Sequence, residues 1–270
     1  APAPPPAAPA PPPAAPAPLP AWSEAAFAAN IRAELERHYP GSTFEPAGDD
    51  FVRVHRRDGH DLQLSVAKAH AQCREDWSRC AAAVDYTFAA FDDTEHQTAL
   101  APAQLRIVLR SAAKLAMYKS YVKGLVTRPF SSDADWALAG DLPHSIGYDV
   151  DLHGLGMTAD AAWQLATANV EPSHPGSQVA NGFIFYADDY APSALMHPDV
   201  LLAAARAAFP DRAGRLLVVV PEENIAIYTI GGATQAAQLK AAALDGLQRS
   251  QIPLSAHVME WTGSTWRERL

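Results

Sequence analysis

The stretch that decides the fold is RLLVVVPEENIAIYTIG, residues 215–231. Two apolar runs rich in β-branched residues flank a short acidic turn, and this pattern predicts an antiparallel pair of strands. Each run is apolar on both of its faces. Strands of this kind lie in the middle of a sheet, where both faces are covered. The stretch therefore predicts the centre of the main sheet.

Neighbouring segments extend this sheet. A strand is predicted at 181–187, a helix from Pro198, a second helix after Gly231-Gly232, and a closing hairpin around Thr262-Gly263. Helices and hairpins alternate without strict βαβ units. The pattern predicts the α+β class, with an antiparallel or mixed sheet and helices packed mainly on one face.

Two segments of the first half alternate apolar and polar residues, as half-buried strands do. In 105–110, Leu105, Ile107 and Leu109 alternate with Arg106, Val108 and Arg110. In 51–65, a hairpin is predicted, and an odd-length loop places Val54 opposite Leu62 and Val52 opposite Leu64. We choose this register because it gathers the apolar residues on one face.

Composition excludes two classes of partner. The 270 residues carry a formal net charge of −9, and no run of Lys or Arg exceeds two residues. A basic stripe able to displace counterions from nucleic acid is therefore absent. The longest apolar runs are far shorter than the roughly 20 residues of a membrane-spanning helix. We expect neither nucleic-acid binding nor a transmembrane segment.

The first 20 residues contain 11 of the 23 prolines, together with eight alanines. A segment with so little side-chain area to bury favours extended polyproline-II conformation. We interpret residues 1–21 as a disordered Pro/Ala-rich spacer and residues 22–270 as a single domain, or two subdomains that meet near residue 127. A small-residue start before such a spacer is typical of a chain whose export signal has been removed. We expect a periplasmic or secreted protein; a fragment that begins inside a cytoplasmic linker is the other interpretation.

Cys73 and Cys80 are the only cysteines. A continuous helix would hold their Cα atoms about 10.5 Å apart, too far for a disulfide. The intervening residues Asp76 and Ser78 are good helix caps, so a break there would bring the thiols together. Free buried thiols remain open, as does metal or redox chemistry, although the C-x-x-C spacing is absent. We favour a structural disulfide, which fits an oxidising compartment.

No common catalytic motif occurs, and we predict no metal site and no cofactor. Two acidic loops are the candidate site. If both strands end at the same edge, their carboxylates could bind a hard cation or share a proton, although charged turns are usually just solvated. The candidate residues of this acidic edge are Asp188, Asp189 and Tyr190 in one loop and Glu222, Glu223 and Asn224 in the other.

Residues 128–266 resemble the bacterial family called domain of unknown function 1444. The resemblance lies in Arg128 to Phe130, Asp141, Asp151 to Thr158 and Ala168-Asn169, which follow one another in the family's order. It implies a shared fold and no known activity, and it supplies no catalytic residues. The family's turn commonly reads Pro-x-x-Asp, whereas this chain has Asn224 in place of the Asp, which removes a titratable group.

These observations favour an exported, non-catalytic domain that binds a protein or a small ligand through a loop edge. The absence of a recognisable catalytic set is the reason for this hypothesis. The second hypothesis is a hydrolase or metal-dependent enzyme that uses the acidic edge.

Overall fold

The computed structural model describes residues 24–46, 51–57, 59, 61–95, 100–120, 122–170, 177–250 and 252–269. The predicted spacer, residues 1–21, lies outside them. The chain divides into two compact units between Thr87 and Phe88. Residue 127, where the sequence suggested that two subdomains could meet, lies inside the second unit.

The first unit combines helices with a three-stranded antiparallel sheet of order β1-β2-β3. The register of its β2–β3 hairpin places Val54 opposite Leu62 and Val52 opposite Leu64, which confirms the odd-length loop. Phe27, Ile31 and Leu35 are buried along one side of the first helix. The elements are α1 (Glu24–His38), β1 (Thr43–Pro46), β2 (Phe51–His55), β3 (Asp61–Ser65), α2 (Ala67–Glu75) and the start of α3 (Cys80–Glu95).

A disulfide between Cys73 and Cys80 joins the end of α2 to the start of α3, which confirms the predicted pairing. α2 ends at Glu75, and a short 3-10 turn over Trp77–Arg79 follows. The Asp76 side chain accepts a hydrogen bond from the Ser78 N–H and caps this turn. The break brings the two Cα atoms to 4.5 Å, a separation that a continuous helix would not allow.

The second unit contains a four-stranded and a six-stranded sheet, both antiparallel in every described pairing. In the smaller sheet the order is β4-β6-β5, with β7 beside β6. Its elements, with the adjoining helices, are β4 (Leu105–Ser111), α4 (Ala112–Lys119), β5 (Thr127–Pro129), β6 (Ala134–Asp141), β7 (Ile146–Gly147) and α5 (Ala159–Ala168).

The six-stranded sheet has the order β13-β12-β10-β11-β9-β8, and the strands of residues 215–231 occupy its centre, as predicted. Ala180 pairs with Phe183, so Asn181-Gly182 forms the turn of a β8–β9 hairpin, which was not predicted from the sequence. The elements are β8 (Gln178–Ala180), β9 (Phe183–Ala187), α6 (Pro198–Ala208), β10 (Arg215–Glu222), β11 (Ile225–Gly231), α7 (Ala233–Arg249), β12 (Val258–Trp261) and β13 (Trp266–Arg269).

The main core lies between the two sheets of the second unit. Leu105, Ile107 and Leu109 of β4 are buried there with Leu216 and Val218 of β10. Alternate residues of the central strands point to the opposite face, where α7 covers them. The α+β class is therefore confirmed. The sequence predicted that the helices pack mainly on one face of the sheet. In the structure, α7 covers one face of the six-stranded sheet, and α6 packs on the other face together with the four-stranded sheet.

Candidate functional site

The two acidic loops lie side by side at one edge of the six-stranded sheet. β9 and β11 are antiparallel neighbours, so the end of β9 meets the start of β11. The Asp188 N–H donates to the Asn224 carbonyl at 3.0 Å. The loops thus satisfy the geometric condition for a shared site, and the contacts of each side chain decide what that site can do.

Glu223 points into a pair of cations instead of toward the other carboxylates. Its side chain is 11% exposed and lies 3.2 Å from Nε of Arg110. Lys114 Nζ donates to both carboxylate oxygens, at 2.8 and 2.9 Å. Arg110 Nε also donates to the Tyr148 hydroxyl at 2.7 Å. Glu223 therefore joins the β10–β11 turn to β4 and α4, and its charge is compensated.

Tyr190 belongs to a second polar group on the same face. Its hydroxyl donates to Asp141 Oδ1 at 2.5 Å. Arg106 pairs with the other oxygen of Asp141 at 2.9 Å, and its guanidinium lies over the Tyr190 ring, 5.7 Å from the centroid. The predicted polar face of β4, with Arg106, Val108 and Arg110, is therefore the face that carries both groups.

Burial shifts the pKa values of several of these groups. It raises the pKa of Tyr148, and it raises the pKa of Tyr190 with help from the hydrogen bond to Asp141. Both phenols therefore keep their protons at neutral pH. Burial also lowers the pKa of the Lys114 amine, although the nearby Glu223 carboxylate opposes that shift. Together these groups form a compensated network whose clearest role is to fix β4 against the acidic turn.

The remaining residues of the acidic edge do not complete a catalytic set. Asp188 Oδ1 accepts a hydrogen bond from the Tyr190 N–H at 2.9 Å, and Asp189 is exposed. Glu222 is half-buried in a bridge to Pro253, and Asn224 Oδ1 is buried with no hydrogen-bond partner among the described residues. Within the described part of the chain, no three His, Cys, Asp or Glu side chains are grouped as metal ligands are.

A serine, a histidine and a glutamate meet elsewhere, between the loop before β6 and the β12–β13 hairpin. His257 Nδ1 lies 2.5 Å from Glu268 Oε1, and Nε2 lies 3.5 Å from Ser132 Oγ. In a nucleophilic relay the imidazole separates the serine from the carboxylate. Here Ser132 Oγ donates directly to the same Glu268 oxygen at 3.2 Å, and Asp133 lies 3.4 Å from Nε2. The arrangement is a histidine between two carboxylates.

A cavity of about 490 Å³ opens on the α7 side of the six-stranded sheet. Register places Arg267 opposite Glu260 and Arg215 opposite Gly231, so these basic residues come from an edge strand and from the start of a central one. Gly232, the residue before α7, is exposed. The cavity is lined by Gly214, Arg215, Gly231, Gly232, Glu260, Arg267, Glu268 and Arg269.

Charge within this cavity is unbalanced. Arg215 Nη1 and Arg269 Nη1 each lie 2.6 Å from an oxygen of Glu260, so two guanidinium groups share one carboxylate. Arg267 forms no ion pair with any described residue. The N–H of Gly232 already donates to Gln235 Oε1 at 3.1 Å, so the arginines supply the attraction for an anion. This arrangement can hold a ligand that carries a carboxylate, sulfate or phosphate group.

Gly214 is required by the backbone at this point. Its φ is +132°, and a Cβ there would collide with the carbonyl of Gly231. L side chains rarely adopt this conformation. The glycine therefore allows the loop before β10 to approach the end of β11 and brings Arg215 to the cavity.

This site was not predicted from the sequence. Its only local signal is the alternation of Arg267 and Arg269 on the closing strand, which places both on one face. The third arginine lies more than 50 residues earlier, and only the strand order brings it near.

Comparisons with known proteins identify no relative: no family model, no curated protein and no solved structure matches the chain. Among the helices that the structure describes, none has the length and apolarity needed to cross a bilayer. The site's own chemistry is therefore the basis for any functional conclusion.

Proposed function

We propose that this chain is a non-catalytic binding protein that works outside the cytoplasm and holds a small anion in the arginine-lined cavity. The observation that carries the proposal is the grouping of Arg215, Arg267 and Arg269 around one cavity. The chain as a whole has a formal net charge of −9, so a local excess of cations runs against its general composition. Such an excess favours a negatively charged ligand.

Size and geometry narrow the ligand class. A volume of about 490 Å³ falls in the range of small-molecule sites, roughly 300–1,000 Å³. Guanidinium groups match the oxygens of carboxylates, sulfates and phosphates in a planar, two-pronged contact. Glu260 forms ion pairs with Arg215 and Arg269. Arg267 has no such partner among the described residues and is therefore the principal cation available to a ligand. A small dianion or an organic molecule with one such group is the ligand we propose.

The Cys73–Cys80 disulfide supports the proposed compartment. Disulfides persist in secreted and periplasmic proteins and are rare in the cytosol of most organisms. The proposed membership in the domain of unknown function 1444 family adds no activity to this account.

Binding is favoured over catalysis at the acidic edge because Glu223 is held by two cations. A hydrolase that used this edge would need a carboxylate free to exchange a proton or to bind a metal. Arg110 and Lys114 keep Glu223 in an ion-paired state. The hydrolase hypothesis therefore has less support from the geometry than the binding hypothesis.

Calorimetric titration with inorganic phosphate at low ionic strength tests the proposal. We expect saturable binding to one site, and we expect Arg267→Gln to weaken it about tenfold, because a hydrogen bond to a charged group is worth roughly 1.5–3 kcal/mol and solvent reduces that figure here. Arg249→Gln is the matched control: Arg249 is exposed, pairs with Asp245 and lies outside the cavity. Equal losses in both variants, or no binding by the natural chain, would contradict the proposal.

A further inference from the structure

β13 is the last strand of the six-stranded sheet, beside the arginine-lined cavity. Among the strands that the structure describes, β12 is its only neighbour, and the two pair antiparallel from Trp266 to Arg269. The outer side of an edge strand presents backbone N–H and C=O groups that its own sheet leaves unpaired. Such an edge can receive an extended segment of another chain as an added strand.

The alternation of the β12–β13 ladder identifies the backbone groups on the outer side. In the turn that joins the two strands, the Thr262 N–H donates to the Thr265 carbonyl at 3.0 Å. Hydrogen-bonded and non-hydrogen-bonded pairs alternate in an antiparallel ladder, so Arg267 belongs to the next hydrogen-bonded pair. The N–H and C=O groups of Trp266 and Glu268 therefore point away from β12, toward the outer side.

The side chains of β13 divide between the two faces of the sheet. Arg267 and Arg269 point to the α7 face, where they line the cavity. Trp266 and Glu268 point to the opposite face, where Trp266 packs against the main core. The Trp266 Nε1 also donates to the Leu195 carbonyl at 3.0 Å. β13 is thus held from one face, which preorganises its outer edge and its two arginines.

The arginines set the charge that an added strand must carry. Residues directly opposite each other in an antiparallel pair project to the same face, with Cβ atoms about 4.5–5.5 Å apart. Arg267 is exposed and has no ion pair with any described residue, whereas Arg269 shares Glu260 with Arg215. Acidic residues two positions apart in the added strand would therefore face Arg267 and Arg269.

We propose that the anion in the cavity is a side-chain carboxylate of an extended acidic peptide, which adds to β13 as a further antiparallel strand. This inference rests on the proposed function. The direction follows from the sheet, in which every described pairing is antiparallel. The backbone of Trp266 and Glu268 supplies the hydrogen bonds, and Arg267 and Arg269 select the acidic side chains.

The same charge pattern opposes pairing between two copies of this chain. If two β13 strands paired antiparallel about Glu268, Arg267 of one copy would lie opposite Arg269 of the other. Like charges directly opposite each other destabilise a sheet. An acidic peptide instead brings opposite charges together, so the edge favours such a partner over a second copy.

The pentapeptide acetyl-Thr-Glu-Thr-Glu-Thr-amide is the probe, because its glutamates share one face when it is extended. We expect calorimetric titration of the full chain at low ionic strength to show saturable binding to one site. Arg267→Gln should weaken this binding about five- to tenfold, because it removes an exposed charge-assisted hydrogen bond. The matched control, Arg249→Gln, lies outside the cavity and should leave the affinity unchanged.

Changes in the peptide test the strand geometry. The isomer acetyl-Thr-Thr-Glu-Glu-Thr-amide has the same charge but places its glutamates on opposite faces, so it should bind about fivefold more weakly. N-methylation of the central threonine removes the N–H that donates to the Glu268 carbonyl and should weaken binding at least about fivefold. The N–H groups of the glutamates point away from β13, so methylating either should change the affinity less than about twofold.

Amide hydrogen exchange followed by NMR locates the added strand. When the peptide saturates the chain, the N–H groups of Trp266 and Glu268 should exchange more slowly. The N–H of Arg267 already donates to β12, so its exchange should change little. An ion pair between side chains alone would leave all three rates the same.

The outcomes separate this inference from the proposed function. If the natural chain binds phosphate but not the peptide, the peptide inference is overturned and the anion site stands. Equal affinity for both isomers and for the N-methylated peptides, without slower exchange at Trp266 and Glu268, also overturns it, because the contact is then purely ionic. A dimer in sedimentation that protects these two amides without peptide would place a second copy at the edge and overturn it as well. Binding of neither phosphate nor the peptide overturns both proposals.

Discussion

Removal of the Glu223 charge should destabilise the second unit strongly. Glu223→Gln keeps the side-chain volume and leaves the Arg110 guanidinium, whose side chain is 6% exposed, without its carboxylate. Breaking a buried pair in this way costs about 3–5 kcal/mol. Lys114 is 31% exposed and can turn toward water, so we expect the lower end, about 3 kcal/mol. For a unit of this size that corresponds to a fall in Tm of roughly 6–12 °C.

Denaturant unfolding followed by near-ultraviolet circular dichroism measures this loss directly. Asp189→Asn is the matched control, because it removes one carboxylate from the neighbouring loop at an exposed position. Its effect should stay within about 0.5 kcal/mol. A second variant, Glu223→Gln with Arg110→Met, removes both buried charges and should recover part of the stability. A loss below about 1 kcal/mol for Glu223→Gln alone would refute the description of this network as a buried, compensated cluster.

Three further predictions concern the Cys73–Cys80 disulfide, Gly214 and the pH dependence of unfolding in acid. Cys73→Ser should lower the free energy of unfolding by about 2–3 kcal/mol in oxidising buffer and leave it unchanged relative to the natural chain after reduction; an equal loss in both buffers would mean that the thiols are merely packed. Gly214→Ala should weaken phosphate binding and lower Tm, because its Cβ collides with the Gly231 carbonyl; unchanged calorimetry and melting would contradict that reasoning. The pKa of Glu268 is lowered in the folded chain, so its stabilising contribution is present above the unfolded value near pH 4.3 and is lost as the pH falls through the folded pKa. The stability of Glu268→Gln should lack that part of the pH dependence. If its stability falls with pH in the same way as that of the natural chain, the contribution of Glu268 is contradicted.

The local sequence pattern was sufficient to predict many of the helices and strands. The alternation of Leu105, Ile107 and Leu109 identifies the buried face of β4, and the register of the β2–β3 hairpin follows from its apolar residues. The disulfide followed from a break in helical pattern at Asp76, which caps the turn between the two helices. These features depend on residues close in sequence, whose spacing sets which face they share.

Contacts between residues that lie far apart in the sequence could not be predicted from local pattern. Glu223 looked like part of an acidic edge because its partners, Arg110 and Lys114, lie more than 100 residues earlier in the chain. The arginine cavity needs the pairing of β13 with β12 and of β12 with β10, an order that strand periodicity does not specify. The contact of His257 with Asp133 likewise depends on the loop before β6, which lies more than 100 residues earlier in the chain.

The central claim is that a small anion binds among Arg215, Arg267 and Arg269. Diffraction from crystals soaked in selenate, with data collected at the selenium absorption edge, tests this claim most directly. The account predicts an anomalous peak within hydrogen-bonding distance, roughly 2.7–3.2 Å from oxygen to guanidinium nitrogen, of Arg267 and at least one of the other two. A cavity without a peak, in crystals whose lattice leaves it open, or selenate bound only elsewhere, would contradict it.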